Sequence, residues 1–257
     1  MTRIRTKKSL GQHFLKDEIL AEKIVSEIMG FDLKNILEIG PGRGVLTKYL
    51  NNIDDFETSL IEIDTSLVEY LRKKFGSDGL RIIEADFLKF EIGQHFSEKI
   101  GIIGNFPYNI SSQVLFRVLE NKEIVSVVVG MFQKEVAERI VTGAGSKKYG
   151  ILSVLIQAYY NAEYLYTVDE QTFEPPPKVK SAVIRLVRNN VNKLDCNEVL
   201  FKRIVKTCFN QRRKIIRNSI KSIISEFPGN PEILSKRPEQ LNTHDFVTLT
   251  KLVENNL

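Results

Sequence analysis

Cysteine is scarce in this sequence, and tryptophan is absent. The two cysteines among the 257 residues, Cys196 and Cys208, have no histidine near them in the sequence. So small a set provides neither a disulfide framework nor the ligand spacing of a zinc site, and we therefore expect no metal centre. We interpret both cysteines as thiols without a catalytic role.

Long apolar segments are missing as well. No stretch approaches the about twenty apolar residues that a membrane-spanning helix needs. The basic residues Arg3, Arg5, Lys7 and Lys8 precede no apolar segment of signal-peptide length. We therefore expect a cytoplasmic protein without a membrane partner. The composition, 42% hydrophobic and 27% charged residues, is typical of a globular chain with one large domain and a small one.

Acidic residues are missing from one segment of a chain whose formal net charge is +5. The charged side chains of residues 201–225 are all basic. They are Lys202, Arg203, Lys206, Arg212, Arg213, Lys214, Arg217 and Lys221. A solvated helix face usually mixes both signs, so this segment favours a polyanion, such as a nucleic acid, over a merely basic surface. We select Arg212, Arg213, Lys214 and Arg217 as candidate phosphate contacts.

Short apolar runs alternate with helical patterns through the first part of the chain. The predicted strands are Asn35–Ile39, Ser59–Ile63, Arg81–Ala85, Ile100–Gly104, Val125–Phe132 and a late strand at Val179–Val187. The predicted helices are one that Asp17 caps, followed by Val45–Leu50, Ser66–Phe75, Ser112–Leu119, Glu135–Val141 and Ile151–Tyr160. This alternation predicts an α/β fold, with a doubly wound parallel sheet and helices on both faces.

The composition changes after Arg188, where a polar stretch rich in asparagine resembles a linker. Helical patterns follow at residues 198–210, 214–226 and 238–254. We predict a boundary near residue 190, with an α/β domain over residues 1–188 and a small all-helical domain over residues 189–257. Before this boundary, three consecutive prolines lack N–H donors and make residues 173–178 a stiff loop.

A glycine-rich turn follows the first predicted strand of the sheet. Gly40, Gly42 and Gly44 alternate with other residues directly after Glu38 and Ile39, and a helix follows. Glycines at this point let the backbone approach a nucleotide-type ligand. The spacing differs from the dinucleotide pattern G-x-G-x-x-G, which weakens a pyrophosphate site. The alternative is a tight turn that needs glycine for its geometry alone.

Acidic residues end the next two strands. Glu62 can accept hydrogen bonds from both hydroxyls of a ribose, whereas Asp64, which precedes Thr65 and Ser66, is better suited to capping a helix. Asp86 can accept from an adenine amino group, or it can cap a helix. Carboxylates at three consecutive strand ends would repel a pyrophosphate. They favour a nucleoside joined to a cationic sulfonium, and thus S-adenosylmethionine over NAD.

The residues after the fourth strand can hold a flat amine. If the side-chain oxygen of Asn105 and the carbonyl of Phe106 each accept an N–H from an adenine amine, its lone pair turns toward a methyl donor. Pro107 would fix the turn, and Tyr108 would stack on the base, which must leave its helix to reach such a pocket. The alternative is a strand-ending turn with a structural tyrosine.

Several motifs in this order resemble the KsgA-type family of ribosomal-RNA adenine N6-dimethyltransferases, of the bacterial kind that acts on small-subunit rRNA. The matching segments are residues 11–15, 38–44, 61–64, 85–86, 105–111, 133–136, 149–150 and 173–186. The resemblance implies a class I methyltransferase (Rossmann-like) sheet with a small helical C-terminal domain. It also implies S-adenosylmethionine as cofactor and dimethylation of two adjacent adenines in the 3′-terminal hairpin of 16S rRNA, coupled to subunit biogenesis. We expect a monomer acting on the pre-30S particle.

The resemblance also implies roles for individual residues. His13 and Leu15 would flank the methionine part of the cofactor, and Gly40 would lie under it, with Gly42 in the same turn. Glu62 would hold the ribose and Asp86 the adenine edge, while the cofactor and the reacting amine would share Asn105. A second aromatic wall against the target base would come from Phe173.

Two positions depart from the family pattern. His13 stands where the family often has asparagine, and Phe106 stands where leucine, isoleucine or valine is common. The change at Phe106 is tolerable if its backbone makes the contact. The change at His13 keeps a hydrogen-bond donor but makes cofactor affinity more dependent on pH.

Three other functions compete with small-subunit methylation. One is the methylation of adenine in 23S rRNA, which confers antibiotic resistance and uses a similar core. Another is a non-catalytic ribosome-assembly or nucleic-acid-binding factor, against which the intact acids and the segment from Asn105 to Tyr108 argue. An NAD-dependent dehydrogenase is the least favoured, because the glycine spacing differs and no base for hydride transfer is evident.

Overall fold

The structure is a computed structural model that describes residue 7 and residues 10–76, 79–227 and 229–257. Of the basic residues near the start of the chain, only Lys7 belongs to this described part. No helix within it has both the length and the apolar composition to cross a membrane.

A seven-stranded sheet forms the centre of the fold. Its strands lie in the order β4-β3-β2-β5-β6-β9-β7, and β1 pairs with β8 in a separate two-stranded sheet. The strands are β1 (Phe14–Leu15), β2 (Asn35–Ile39), β3 (Glu57–Glu62), β4 (Arg81–Glu84), β5 (Ile100–Asn105), β6 (Val125–Gln133), β7 (Tyr160–Val168), β8 (Phe173–Glu174) and β9 (Ser181–Arg188). The five strands β4, β3, β2, β5 and β6 are parallel to one another, and β9 runs antiparallel to β6. The sheet is therefore mixed rather than wholly parallel, and β7 is a strand that the sequence reading did not include.

Helices connect the parallel strands, as the alternating pattern predicts. They are α1 (Glu18–Ser26), α2 (Thr47–Leu50), α3 (Thr65–Phe75), α4 (Ile92–His95), α5 (Ser111–Glu120), α6 (Lys134–Val141), α7 (Ile151–Gln157), α8 (Glu198–Asn210), α9 (Ile216–Ser219) and α10 (Thr243–Glu254). The predicted cap is confirmed at Asp17, whose side chain accepts from the Leu20 N–H at 3.0 Å. Such a bond satisfies one of the amides that have no partner within the first helical turn.

The central strands are buried on both faces. Ile36 and Leu37 of β2 and Ile102 and Ile103 of β5 are all 0% exposed. Continuous burial explains why the sequence shows apolar runs here instead of strict alternation, since helices cover both sides of a parallel sheet. The strand bounds predicted from these runs agree with the structure to within two residues.

The short sheet of β1 and β8 joins two distant parts of the chain. Leu15 pairs with Phe173, and Phe14 pairs with Glu174. The peptide bond from Glu174 to Pro175 is cis. The sequence predicted the segment after Phe173 as a stiff loop, but its first two residues form this strand.

The chain divides into two compact units. One contains the residues up to 137 and residues 163–188, and the other contains residues 138–162 and 189–257. The sequence predicted one boundary near residue 190 and placed residues 138–162 with the catalytic domain. In the structure these residues pack with the C-terminal segment, where the buried ring of Tyr149 meets the ring of Phe209 edge-on at 5.9 Å.

The C-terminal segment is helical, but one of its predicted helices is wrong. Residues 214–226 do not form a single helix, because α9 ends at Ser219 and a single 3-10 turn follows over Ile220–Ser222. The predicted helix over residues 198–210 is confirmed as α8. The pattern at residues 238–254 consists of a 3-10 turn over Pro238–Gln240 and the separate helix α10.

Candidate functional site

A cavity of about 210 Å³ opens at the carboxyl ends of the parallel strands. It is lined by residues 10–15, 38–43, 45–46, 61–63, 67, 85–88 and 105–110. The carboxyl ends of β2, β3, β4 and β5 meet at the same edge because these strands are parallel, and ligands of open α/β sheets bind at such an edge. The segments that the sequence selected around Gly40, Glu62, Asp86 and Asn105 therefore converge on one site.

The three glycines after β2 all lie in the left-handed region, with φ of +65° at Gly40, +57° at Gly42 and +74° at Gly44. Their surroundings differ. A Cβ on Gly42 would lie 2.9 Å from the Phe14 ring, and one on Gly44 would lie 2.5 Å from the Phe75 ring. A Cβ on Gly40 would have no other described residue within 4 Å apart from its chain neighbours, and Gly40 lines the cavity. Packing thus explains Gly42 and Gly44, whereas Gly40 exposes its backbone to a ligand.

The carboxylate of Glu62 lies at the end of β3 and is 6% exposed. Its Oε1 accepts from the N–H groups of Ile63 and Asp64 at 2.9 and 3.0 Å, and its Oε2 accepts from the Gly42 N–H at 3.3 Å. Burial raises the pKa of the Glu62 carboxyl, although these three donors oppose the shift. The bonds hold the side chain between the glycine turn and the start of α3, at the wall of the cavity.

Asp64 caps α3, as the sequence predicts. Its side chain accepts from the Ser66 N–H at 3.1 Å, from the Lys7 ammonium at 2.7 Å and from the Gln12 amide at 3.2 Å. Burial alone would raise the pKa of Asp64, but the hydrogen bonds from Lys7, Ser66 and Gln12 outweigh it and lower the pKa to about 2. Asp64 does not line the cavity whereas Glu62 does, so Glu62 is the better candidate for the ribose.

Asp86 performs the capping role that the sequence left as its alternative. Its Oδ1 accepts from the Leu88 N–H at 3.0 Å and begins a 3-10 turn over Phe87–Lys89. Asp86 also lines the cavity. The cap fixes the side chain at the end of β4, which is the position needed for a contact with an adenine edge.

The side-chain amide of Asn105 has a defined orientation. Its Nδ2 donates to the backbone carbonyl of His13 at 2.8 Å. A carbonyl oxygen can only accept, so the NH₂ group must face His13, and the amide oxygen keeps its capacity to accept. Asn105 is the last residue of β5 and lines the cavity.

The residues after Asn105 combine a buried anchor with a half-buried ring. The ring of Phe106 is 0% exposed and meets the Phe132 ring edge-on at 5.0 Å, so Phe106 can offer the site its backbone only. The hydroxyl of Tyr108 hydrogen-bonds to the hydroxyl of Ser181, and burial raises the pKa of Tyr108. Pro107 lies between them at the cavity wall, and its carbonyl accepts from the Ile110 N–H at 3.1 Å.

His13 lies against Tyr108. The two rings are stacked, with centroids 5.6 Å apart and an interplanar angle of 26°. The Nδ1 of His13 is 2.8 Å from the carbonyl oxygen of Pro175, so Nδ1 carries the hydrogen of this bond. Leu15 of β1 is 5% exposed and also lines the cavity.

The second aromatic wall expected of Phe173 is not formed in this structure. Phe173 is 1% exposed and packs in a core cluster with Leu15 and Val183. It is absent from the cavity lining. Its backbone pairing with Leu15 in the sheet of β1 and β8 directs the ring into the core.

Glu38 lines the cavity, but the sequence reading assigned it no role. It is 1% exposed and accepts from the Thr47 hydroxyl at 2.7 Å. Burial raises the pKa of Glu38 to about 8. The Thr47 hydrogen bond opposes this increase, and the charge of Glu62 adds a lesser one. Its place at the strand end directly before the glycine turn is the signal that could have identified it.

The candidate phosphate contacts lie in the unit formed by residues 138–162 and 189–257. Two of them donate to backbone carbonyls, and the other two are exposed. The guanidinium of Arg212 donates to the carbonyls of Lys147 and Ser146 at 2.8 and 3.0 Å. That of Arg217 donates to the carbonyl of Gly229 and the side chain of Asn230 at 2.9 and 2.7 Å. Arg213 and Lys214 are exposed, and the Lys214 ammonium donates to Gln211 at 3.0 Å. Arg213 and Lys214 are therefore the better candidates of the four for phosphate contacts.

The described residues contain no cluster of side chains suited to a metal ion. Within the described part of the chain, no group of three or more histidine, cysteine or acidic side chains could hold a metal ion. Both cysteines are reduced; Cys208 is buried, and burial raises its pKa to about 12.

Comparison with known proteins identifies the family. Residues 3–249 match the family described as Ribosomal RNA adenine dimethylase. A relative from Bacteroides thetaiotaomicron named Ribosomal RNA small subunit methyltransferase A is 52% identical over 260 residues, covering 100% of this chain and 97% of the relative. The family resemblance seen in the motifs is thereby confirmed.

Solved structures with the same fold include a dimethyladenosine transferase and a 23S rRNA methyltransferase. A dimethyladenosine transferase from Plasmodium falciparum superposes with a TM-score of 0.79 at 25% identity, covering 95% of this chain and 98% of the other. The 23S rRNA methyltransferase ErmE superposes with a TM-score of 0.70 at 25% identity, covering 93% and 99%. The expected methyltransferase fold is confirmed, and a 23S rRNA methyltransferase shares it.

Proposed function

This chain belongs to the ribosomal RNA adenine dimethylase family, and we propose that it transfers methyl groups from S-adenosylmethionine to the N6 amines of two adjacent adenines in small-subunit rRNA. The proposed target is the 3′-terminal hairpin of 16S rRNA in the pre-30S particle, with the chain acting as a monomer in the cytoplasm, where that particle forms. Small-subunit specificity is supported by the full-length similarity to relatives that carry this name.

The orientation of the Asn105 amide is the observation that carries the proposal. With its NH₂ group bound to the His13 carbonyl, its oxygen can accept an N–H of an adenine amine. The adjacent Phe106 can contribute only a backbone carbonyl, because its ring is in the core. Two acceptors next to each other at a strand end suit an amine that has two N–H donors and no formal charge.

The cavity residues fit S-adenosylmethionine. Gly40, Glu62 and Asp86 line one cavity, and we propose that Gly40 lies under the methionine part while Glu62 holds the ribose and Asp86 the adenine edge. The cofactor supplies a methyl group on a positively charged sulfur, which is released as a neutral thioether. The carboxylates of Glu62 and Asp86 in the cavity lining are consistent with a cationic ligand and would oppose a phosphate group.

The chain's own residues act by positioning and electrostatics. Asn105 and the Phe106 carbonyl hold the amine so that its nitrogen lone pair is available for the new N–C bond. The methylated amine carries a positive charge until it loses a proton to solvent, and the neutral monomethylamine can then accept a second methyl group. Of the side chains named above, none is required to act as a strong base.

The target adenine must leave its RNA helix to enter the cavity, since a stacked base cannot reach the end of a β-strand. We propose that residues 1–188 carry the catalytic function. The helical segment over residues 189–257 would contact RNA phosphates, chiefly through Arg213 and Lys214, which are exposed.

The proposal is tested by mass spectrometry of rRNA after incubation with each purified subunit and the cofactor. Two dimethylated adenines in 16S rRNA are the expected result with immature small subunits, and none is expected in 23S rRNA. Asn105→Ala should reduce the rate of methyl transfer by about 10²–10³-fold, as removal of one polar group that stabilises a transition state does elsewhere.

A matched control is Asn52→Ala, because Asn52 is an exposed asparagine that does not line the cavity. It should transfer methyl groups at a rate close to that of the wild type. Undiminished transfer in Asn105→Ala would contradict the proposed role of the amide. Modification of 23S rRNA alone would assign the chain to the large-subunit type, and binding to subunits without any transfer would leave the assembly-factor function.

A further inference from the structure

We propose that Arg117 positions the carboxylate of Asp86 for the adenine edge of the cofactor, by holding the far end of the 3-10 turn that Asp86 begins. This inference rests on the proposed function, in which Asp86 accepts a hydrogen bond from the adenine amino group. Arg117 does not belong to the cavity lining. It is therefore a positioning residue, which acts on the cofactor through Asp86.

The side chain of Asp86 is fixed by fewer bonds than that of Glu62. Three backbone N–H groups hold the Glu62 carboxylate, whereas among the described residues only the Leu88 N–H donates to the Asp86 side chain. Asp86 also follows β4, a strand of four residues at the edge of the sheet. The position of its carboxylate therefore depends on the turn that contains Leu88.

This turn is short and consists of Phe87–Lys89. Its backbone hydrogen bonds join the Lys89 N–H to the Asp86 carbonyl at 2.9 Å and the Phe90 N–H to the Phe87 carbonyl at 3.2 Å. A single 3-10 turn has poorer bond geometry than an α-helix and fixes few residues by itself. The turn therefore needs contacts from a neighbouring element to stay in place.

Arg117 supplies such a contact from α5. Its Nη2 donates at 2.7 Å to the carbonyl of Phe90, the residue that ends the turn. Two carboxylates hold the guanidinium in turn, Glu120 at 2.9 Å from Nη1 and Glu91 at 3.4 Å from Nη2. The Arg117 side chain is only 19% exposed, so little water competes for this charge-assisted bond. The turn is thus fixed at both ends, by Asp86 at its start and by Arg117 at its end.

The burial of Arg117 points to the same role. Its Nε is buried without an acceptor among the described residues, and a buried donor without a partner costs stability. An arginine that served only the two exposed carboxylates could keep this donor in water. The bond to the Phe90 carbonyl is what draws the guanidinium into the protein.

The same helix follows the acceptor half of the site. Helix α5 begins directly after the cavity-lining residues 105–110, and the hydroxyl of its first residue, Ser111, donates to the Tyr108 carbonyl at 3.1 Å. Arg117 lies two turns further along α5, about 9 Å along the helix axis. One rigid element therefore sets the adenine turn and the base-holding segment relative to each other.

The test measures how well the protein distinguishes S-adenosylhomocysteine, the product of methyl transfer, from S-inosylhomocysteine, in which a carbonyl oxygen replaces the adenine amino group. A carboxylate that accepts from the amino group rejects this oxygen, so the wild type should bind the adenosyl compound about 10- to 100-fold more tightly. Arg117→Ala should lower this ratio about threefold or more, and Asp86→Ala should bring it near 1. Calorimetric titration measures both dissociation constants.

Steady-state methyl transfer gives a second readout. Arg117→Ala should raise the KM for S-adenosylmethionine about threefold or more, because the adenine contact is weakened. The kcat at saturating cofactor should stay within about twofold of the wild type, since Arg117 does not touch the reacting amine.

The matched control is Glu120→Gln, which removes a charged partner of the Arg117 guanidinium and leaves the bond to Phe90. Its ratio should stay within about twofold of the wild-type ratio. Arg117→Lys is a milder second variant. It keeps the positive charge but lacks the fork that reaches the carbonyl and both carboxylates, so its ratio should lie between those of the wild type and Arg117→Ala. Thermal melting would verify that every variant is folded.

An unchanged ratio in Arg117→Ala would overturn this inference and leave the proposed function intact. An equal loss of affinity for both compounds would also overturn it, because a general loss of stability has that effect. If the wild type binds both compounds equally well, the role of Asp86 in the proposed function fails, and this inference fails with it.

Discussion

The carboxyl group of Glu38 accepts a 2.7 Å hydrogen bond from the hydroxyl of Thr47, at a point where both residues are almost completely buried. Glu38 ends the run of apolar residues in β2, and Thr47 is the first residue of α2. The titratable neighbour that faces this pair is Glu62 on β3, whose charge raises the pKa of Glu38 further. Two buried carboxyl groups therefore share one wall of the cavity.

This pairing predicts a pH-dependent stability. The pKa of Glu38 is raised, chiefly by burial, to about 8 in the folded protein, against about 4.3 in an unfolded chain. A carboxyl group whose pKa is higher in the folded than in the unfolded protein stabilises the fold. This stabilisation is complete below the unfolded pKa and is lost as the pH rises through the folded pKa of about 8. The free energy of unfolding should thus fall between pH 6 and pH 9, by at most about 1.4 kcal/mol per pH unit from this group.

Glu38→Gln should have a flatter pH profile than the wild type. Urea denaturation at pH 6, 7, 8 and 9 would measure this, with Asp64→Asn as the comparison. The pKa of Asp64 is lowered to about 2, so its contribution is lost only in acid and should not alter the slope between pH 6 and pH 9. Parallel profiles for the wild type and Glu38→Gln would show that Glu38 does not titrate in this range.

Alanine substitutions at Gly40 and Gly44 should rank in one order by stability and in the reverse order by cofactor affinity. At a positive φ an alanine costs about 1–2 kcal/mol of stability, so both Gly40→Ala and Gly44→Ala should be less stable than the wild type. Gly44→Ala should lose more, because its Cβ would lie 2.5 Å from Phe75, whereas the Cβ of Gly40→Ala would enter the open cavity.

Cofactor affinity should follow the reverse order. Calorimetric titration should find a weaker affinity in Gly40→Ala than in Gly44→Ala, since Gly40 lines the cavity and Gly44 does not. Thermal melting of the same samples would report the stability difference. Equal losses of affinity in the two variants would show that strain in the turn, rather than occupation of the cavity, weakens binding.

Phe106 and Gly130 predict a coupled pair of substitutions. A Cβ on Gly130 would lie 2.1 Å from the Phe106 ring, so Gly130→Ala should cost about 1–3 kcal/mol through overpacking. Phe106→Leu alone should cost a similar amount through lost packing, yet it should retain methyl transfer, because the carbonyl of residue 106 makes the contact.

The double variant Phe106→Leu with Gly130→Ala should be more stable than the sum of the two losses implies, because the smaller side chain leaves room for the new methyl group. Free energies of unfolding from urea denaturation would complete this cycle. Additive losses would mean that the two sites relax independently.

Reversal of charge at Arg213 and Lys214 should weaken binding to the small subunit and reduce its dependence on salt. Each lost phosphate contact lowers the slope of log affinity against log salt by about 0.7–0.9. The control is reversal of Lys73 and Lys89, two exposed lysines of the other unit. Filter binding at several salt concentrations measures the slope, and equal slopes for the wild type and Arg213→Glu with Lys214→Glu would contradict a phosphate role.

Arg212→Glu is predicted to act differently. The Arg212 guanidinium donates to the carbonyls of Ser146 and Lys147 and lies 3.7 Å from a carboxylate oxygen of Glu239. Its loss should lower the melting temperature, because buried or half-buried donors and acceptors are left without partners. A normal melting temperature together with weak RNA binding would instead place Arg212 among the phosphate ligands.

Features that depend on local pattern could be predicted from the order of residues alone. The bounds of β2 and α8, the cap at Asp17 and the convergence of the strand ends follow from apolar periodicity, capping residues and the parallel arrangement. The chemistry of the cavity wall, from Gly40 to Asn105, was visible for the same reason. Each of its segments follows a strand directly, and parallel strands end at one edge.

Which distant segments meet became visible in the folded chain alone. The pairing of Leu15 with Phe173, the packing of residues 138–162 with the C-terminal segment and the stacking of His13 on Tyr108 join positions many residues apart. Periodicity reports which face of an element is apolar but not what that face packs against. The burial of Phe173 and the raised pKa of Glu38 depend on those long-range contacts, so a residue type and its place in a motif could not specify them.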